Sequence, residues 1–391
     1  MQFQQWALRP GLLLFQLALP WVMIRGAGLE GPSWQARFDD FAKDERLAVL
    51  QRLAEETVTE ALGGIRSALG LEPGRLQIRW ILDLSSRAEP VAPEEPFESG
   101  RTHVGERDVE VILPARKFLW DPPRARPVVI HEAVHAVMAS ATGSRGAYQS
   151  IPKWLREGLA LHIADEGELL LAETLAYTMF QGQPASAFFK GVRAQAVSYS
   201  EAYLAVLELQ RKLGHDGLKA FVRDVVAGEG VERLLEKYLG VRLEAFEAQV
   251  VTYGQERVRG LLGEGTEPAF RAAMEARVQG EKARAREAFL DLLARQGEGP
   301  LSSTLRYLLA RDVLESDRTI SAASTMLLPL QQLLDSPATL WRPEALVLLG
   351  DCHRRMGATA KARQAFEQVL EVFGEDKGPA EEARRNLKAL R

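Results

Sequence analysis

Residues Val128–Ala139 read VVIHEAVHAVMA and follow directly on Pro127. His131 and His135 are four positions apart, so on an α-helix their side chains share one face, one turn apart, and both imidazoles can reach a single metal ion. Glu132 falls about 100° round the helix from His131. There it stands beside such an ion but off the line of the two ligands, where it can take a proton from water. Val129, Ile130, Val134 and Val137 make the other faces apolar, which predicts a buried helix. A carboxylate buried there without a partner is costly, and a neighbouring dication removes that cost. The helix is expected to start at Pro127, because the first helical position needs no N–H donor.

The next segment supplies a third ligand. After an expected loop over Thr142–Ile151, the stretch Pro152–Ala160 reads PKWLREGLA, a second proline-started helix with an apolar stripe at Leu155, Leu159 and Ile163. Glu157 lies off that stripe beside Gly158 and Ala160, small residues that would let this helix come close to the first. Two imidazoles and a carboxylate leave a fourth coordination position open, the pattern of a catalytic rather than a structural zinc. One zinc per chain is therefore expected, with Glu132 as general base. His162 lies about 140° from Glu157 on the same helix and is read as a surface or supporting residue. His103 and His215 are read as solvated.

Upstream, Asp39–Leu69 has helical periodicity, and Leu76, Ile78, Trp80, Leu82 and Leu84 alternate with mostly polar residues as in a half-buried strand. Ala88–Glu98, rich in Pro and Glu, reads as a loop. Thr102–Val104 and Arg107–Leu113 flank Gly105-Glu106, which predicts a tight hairpin, and the strand Arg107–Leu113 is a candidate edge for an extended substrate. Beyond Pro127 almost everything is expected to be helical, with no further strand.

The C-terminal third repeats itself. Gly280–Leu293 reads GEKARAREAFLDLL and Gly357–Leu370 reads GATAKARQAFEQVL, with seven of fourteen positions identical and the starts 77 residues apart. That offset is about two 34-residue tetratricopeptide periods plus an insertion. Leu349, Gly350, Gly357, Ala362 and Phe366 match that repeat, His353 replaces its usual Tyr, and Leu308–Leu334 would be a degenerate middle copy. Helical repeats stack into a concave surface suited to a protein partner.

With 391 residues, 46% of them hydrophobic and 26% charged, the chain has the composition of a folded protein of two or three domains. A net charge of −4 offers no excess of Lys and Arg, so no nucleic-acid partner is expected. The lone Cys352 rules out an intrachain disulfide and any multi-cysteine zinc site, and is read as a small buried helix residue. Gly11–Ile24, apolar except for Gln16, has the length of a signal-peptide core, so residues 1–28 are read as a cleaved signal or a retained N-terminal membrane anchor.

HEAVH followed 22 residues later by the Glu of WLREGLA resembles the gluzincin, or thermolysin-like, metallopeptidases, and most closely the bacterial peptidase MA-like domains. The resemblance covers about Leu76 to Leu261, including Ser198–Gly214 as a downstream helix and Gly240–Val250 as the closing segment. It implies hydrolysis of protein or peptide substrates, and Tyr199, on the helix that would line the cleft, as an oxyanion donor; Tyr203 is the other tyrosine there. One departure is plain. The best-known members carry an Asp four residues after the ligand Glu to orient the first His, and here that position is Leu161.

The expected fold class is α+β. A mostly helical thermolysin-like metallopeptidase domain with a small N-terminal sheet, residues 35–262, is followed by an all-α tetratricopeptide-like domain, residues 266–391. The expected activity is zinc-dependent peptide hydrolysis by an exported enzyme of the bacterial periplasm or cell envelope. The alternatives are a catalytically weak or inactive scaffold that binds partners through its repeats, and a zinc hydrolase acting on another bond.

Overall fold

The computed structural model describes residues 22–23, 33–34, 45–83, 100–114, 122–187, 189, 191–192, 197–336, 340–373 and 377–390. The segment read as a signal or anchor lies outside them except for Val22–Met23. The chain is mostly helical with one small sheet. Its three longer strands are β3 (Gln77–Asp83), β4 (Arg101–Val104) and β5 (Asp108–Pro114). Two-residue strands β1 (Val22–Met23) and β2 (Ser33–Trp34) pair with β3. β3 and β5 run parallel with Trp80 opposite Val111, and both residues are fully buried, so the alternation seen in the sequence turns one face of the sheet into the core.

β4 and β5 form the expected hairpin, with a shifted turn. Val104 pairs with Val109 and the Gly105 N–H donates to the Asp108 carbonyl at 2.9 Å, which puts Glu106 and Arg107 at the tip. The order β1-β3-β5-β4 also corrects the expected edge. β5 is paired on both sides, because the parallel crossover sets it between β3 and β4. Among the described residues the terminal strand on that side is β4.

Helix α1 (Glu45–Leu69) precedes the three longer strands and packs on α2 (Pro122–Thr142), which also lies against β3, β4 and β5. α2 carries the HEAVH motif and begins five residues earlier than expected. Pro122 and Pro123 occupy the first turn, where N–H groups have no acceptor within the helix, and Pro127 sits inside it. Then come α3 (Arg145–Ser150), α4 (Lys153–Ala164), α5 (Gly167–Phe180) and α6 (Tyr199–Val226), followed by α7 (Val231–Leu239) and α8 (Leu243–Leu262). α6 starts with a reciprocal Ser198/Glu201 capping box and breaks at Gly214, whose φ is 68°. α3 replaces part of the expected loop; Ser144 caps it by accepting from the Ala147 N–H.

After Gly263 and Gly265, both at positive φ, three helical hairpins follow. They are α9 (Thr266–Val278) with α10 (Lys282–Gln296), α11 (Ser302–Ser316) with α12 (Ile320–Asp335), and α13 (Arg342–Arg355) with α14 (Thr359–Val372); α15 (Lys377–Ala389) packs on the last pair. The first and third corners share their turn geometry. Gly280 and Gly357 both have positive φ, and the N–H groups of Glu281 and Ala358 bond back five residues to the carbonyls of Ala276 and His353. The middle corner has no glycine. There Asp317 Oδ1 accepts from the Thr319 N–H and Thr319 caps α12, so the middle copy keeps the hairpin with different turn chemistry.

The hairpins pack against α5. Trp341 stacks on Tyr307 at 4.5 Å, meets Phe180 of α5 edge-on at 4.6 Å and donates its indole N–H to Thr304 at 2.8 Å. The Leu340 N–H reaches Glu173 Oε1 of α5 at 3.2 Å. Cys352 is fully buried in α13.

Candidate metal centre

The four-residue spacing on α2 does bring the two imidazoles together. His131 Nε2 and His135 Nε2 are 3.2 Å apart, with the rings edge to face. From α4, Glu157 Oε2 lies 3.1 Å from His135 Nε2 and 3.6 Å from His131 Nε2. Three donor atoms thus form a triangle with sides of 3.1 to 3.6 Å. Zinc bonds of about 2.0–2.1 Å in a tetrahedron set neighbouring donors about 3.3–3.4 Å apart, so the triangle has the size of one face of that tetrahedron. Among the described residues this is the only group of three His, Cys, Asp or Glu donors close enough to share an ion.

α4 reaches this position in an unexpected way. A Cβ on Gly158 would lie 2.2 Å from the Ala202 carbonyl oxygen, so the missing side chain admits α6, not the motif helix α2. Close contact of α4 with α6 fixes the helix whose next residue back is the candidate ligand Glu157.

Both rings are held from behind. His131 Nδ1 lies 3.3 Å from Glu166 Oε2, and His135 Nδ1 is 3.0 Å from the Tyr148 hydroxyl. Where a metal displaces the Nε2 proton and Nδ1 keeps its own in each ring, both Nε2 donors would face the centre of the triangle. Burial pushes the Tyr148 phenol pKa up despite the Arg156 guanidinium stacked 4.7 Å over its ring, so the phenol keeps its proton. Neither Glu166 nor Tyr148 was named from the sequence. The available signal was Leu161: with an apolar residue there, another group had to support His131.

Three carboxylates surround the imidazoles, a surplus of negative charge that suits a dication. Burial opposes a proton on His131, but the nearby carboxylates of Glu157 and Glu166, aided by the charge of Glu132, raise its pKa to about 10. Burial alone would raise Glu157; the two imidazoles outweigh it and hold the carboxyl well below the usual carboxylate range. Chemically and geometrically the donor set fits zinc.

The chain matches no protein-family model, no curated protein and no solved structure.

Glu132 is buried beside the triad, 7% exposed, and its Oε2 accepts the Thr102 hydroxyl hydrogen at 2.6 Å. Thr102 stands on β4, so the outer strand and the motif helix meet at this carboxylate. A side chain at Gly100 would run into Glu132, with a Cβ 2.6 Å from its Cγ. Tyr199 is the first residue of α6, its ring 5.4 Å from Lys153 Nζ, one turn of α4 before Glu157. Tyr203 gives its hydroxyl hydrogen to Glu168 at 3.1 Å. His162 is half-buried on α4 outside the triad, and burial lowers its pKa. His103 on β4 and His215 on α6 are exposed.

Proposed function

We propose that this chain is a zinc-dependent metallopeptidase of the gluzincin type, with one zinc per chain held by His131, His135 and Glu157. The observation that carries the reading is the donor triangle, whose sides of 3.1 to 3.6 Å suit a tetrahedral ion with one position left for reaction. Bound there, zinc supplies Lewis acidity toward a substrate carbonyl and makes adjacent water easier to deprotonate.

The residues of the chain do the rest. Glu132 takes the proton of the attacking water and returns it to the leaving amine. Thr102 occupies Oε2 of that carboxylate, which leaves Oε1 for the transfer. An extended peptide lies antiparallel along β4, whose residue Thr102 already touches the base, so the scissile bond is brought to Glu132 by backbone pairing. Tyr199 serves as the oxyanion donor. The N-terminal apolar run exports the enzyme to the bacterial envelope, and the helical hairpins hold a protein partner.

The test is cleavage of unfolded proteins and peptide mixtures by the purified full chain, with and without chelator. Zinc should restore activity after its removal, and Glu132→Gln should keep about one zinc per chain while cleavage falls to background. A zinc-loaded wild type that cleaves nothing, or a Glu132→Gln variant as active as wild type, would refute the proposal; the first result would favour the scaffold.

A further inference from the structure

Leu161, the position at which the resembled peptidases carry an aspartate, is only 3% exposed and offers His131 no carboxylate. The carboxylate His131 meets is that of Glu166, at 3.3 Å from Nδ1. Resting on the metallopeptidase reading above, we infer that Glu166 is the positioning residue of this site. It accepts the Nδ1 proton of His131, fixes the tautomer that turns Nε2 to the ion, and makes that nitrogen a stronger donor.

The backbone delivers Glu166 to that spot and keeps it there. α4 ends at Ala164, and Asp165 takes the left-handed conformation with φ 58° and ψ 31°. It is the only residue other than glycine with positive φ among the described residues, a conformation that Asp tolerates better than most. The N–H groups of Asp165 and Glu166 both return to the Leu161 carbonyl, Glu166 at 3.1 Å. The residue that cannot supply the carboxylate by its side chain thus anchors, through its backbone, the turn that does.

Gly167 closes the turn from the other side. A Cβ there would lie 2.1 Å from the Tyr203 ring, so the backbone after Glu166 is pressed against α6. The Glu166 carbonyl accepts the first helical bond of α5 from Leu170 at 3.0 Å. Glu166 is therefore set between a left-handed residue and a glycine under a ring, with little freedom to leave His131. Its contact is with Nδ1, on the far side of the imidazole from the triangle, so it supports a ligand and is not a fourth one.

The experiment compares Glu166→Ala, Glu166→Gln, Glu168→Ala and Glu157→Ala in the full chain. It reads Zn2+ affinity by chelator competition and the visible absorption of the Co2+-loaded protein, with circular dichroism to verify folding. Glu166→Ala should lose about 10- to 100-fold in Zn2+ affinity, and its Co2+ bands should shift. Glu166→Gln, which keeps a carbonyl acceptor but no charge, should lose less. Glu168→Ala, one residue beyond Gly167 and paired with Arg257 and Tyr203, should match wild type. Wild-type affinity and an unchanged Co2+ spectrum in folded Glu166→Ala overturn the inference. Should that variant not fold, the same two results in Glu166→Gln do so. Glu157→Ala separates the two readings: loss there without loss at Glu166 strikes only the positioning role, and wild-type affinity there strikes the metal site itself.

Discussion

Thr102 gives its hydroxyl hydrogen to Glu132 Oε2 at 2.6 Å while lying 3.2 Å from the Glu132 carbonyl oxygen, so one side chain of the outer strand touches both ends of the proposed base. A hydrogen bond to a charged group contributes about 1.5–3 kcal/mol, and 1.4 kcal/mol is about ten-fold in rate. Thr102→Val, which removes the donor and keeps the shape, should therefore lower kcat by about ten- to 100-fold. KM and zinc content should stay near wild type, because Thr102 is no ligand. Steady-state kinetics with metal analysis checks this; an unchanged kcat means that the carboxylate is held by something else.

The proposed third ligand separates a metal centre from a chance HExxH motif. Glu157 closes the triangle from a different helix, whereas His162, five residues on along α4, is outside it. Glu157→Ala should weaken zinc binding at least 100-fold, on the order expected when one of three protein ligands is lost. His162→Ala should stay within about two-fold of wild type in zinc affinity, because its ring supplies no donor to the triangle and the change removes none of the features whose loss is costly. Chelator competition on folded protein measures both, and a reversed order reassigns the ligand.

Gly158 tests how the site depends on packing between helices. Its would-be Cβ meets the Ala202 backbone oxygen at 2.2 Å, and a backbone cannot swing away as a side chain can. Gly158→Ala should destabilise the fold by about 1–3 kcal/mol and weaken zinc binding, since α4 must shift and carries Glu157 with it. Gly146→Ala, on the short helix α3 with nothing within 4 Å, should be neutral or slightly stabilising. Urea unfolding midpoints and zinc affinities for the pair decide the matter; equal effects at the two positions would contradict it.

The parts of the site legible in the sequence are those that helical periodicity places. His131 and His135 follow from a four-residue spacing, and Glu157 from a proline-started helix with a recognisable apolar stripe. Thr102, Tyr148 and Glu166 were not legible, because each is an isolated polar residue on a strand, a six-residue helix or a turn. What such a residue faces is decided by tertiary packing. Sheet order was hidden for a similar reason: alternation marks Arg107–Leu113 as a strand but does not say that a parallel crossover would set β5 inside the sheet. The first and third hairpins were legible through Gly280 and Gly357, and the middle one was faint because Asp317 and Thr319 build its corner instead.

Helix α5, GELLLAETLAYTMF, is apolar on nearly every side, so it needs cover from several neighbours, with Tyr177 left exposed. α4 and α6 cover part of it, and α9, α11 and the Trp341 ring cover more. The loop at Gly263–Gly265 is thus a joint in the sequence without being a seam in the packing. Denaturant that peels the hairpins away also strips the cover from the helix that begins directly after Glu166. The support behind His131 then loosens in the same unfolding event, so retention of the proposed zinc during denaturation would report on the C-terminal half of the chain as much as on the half that carries the proposed ligands.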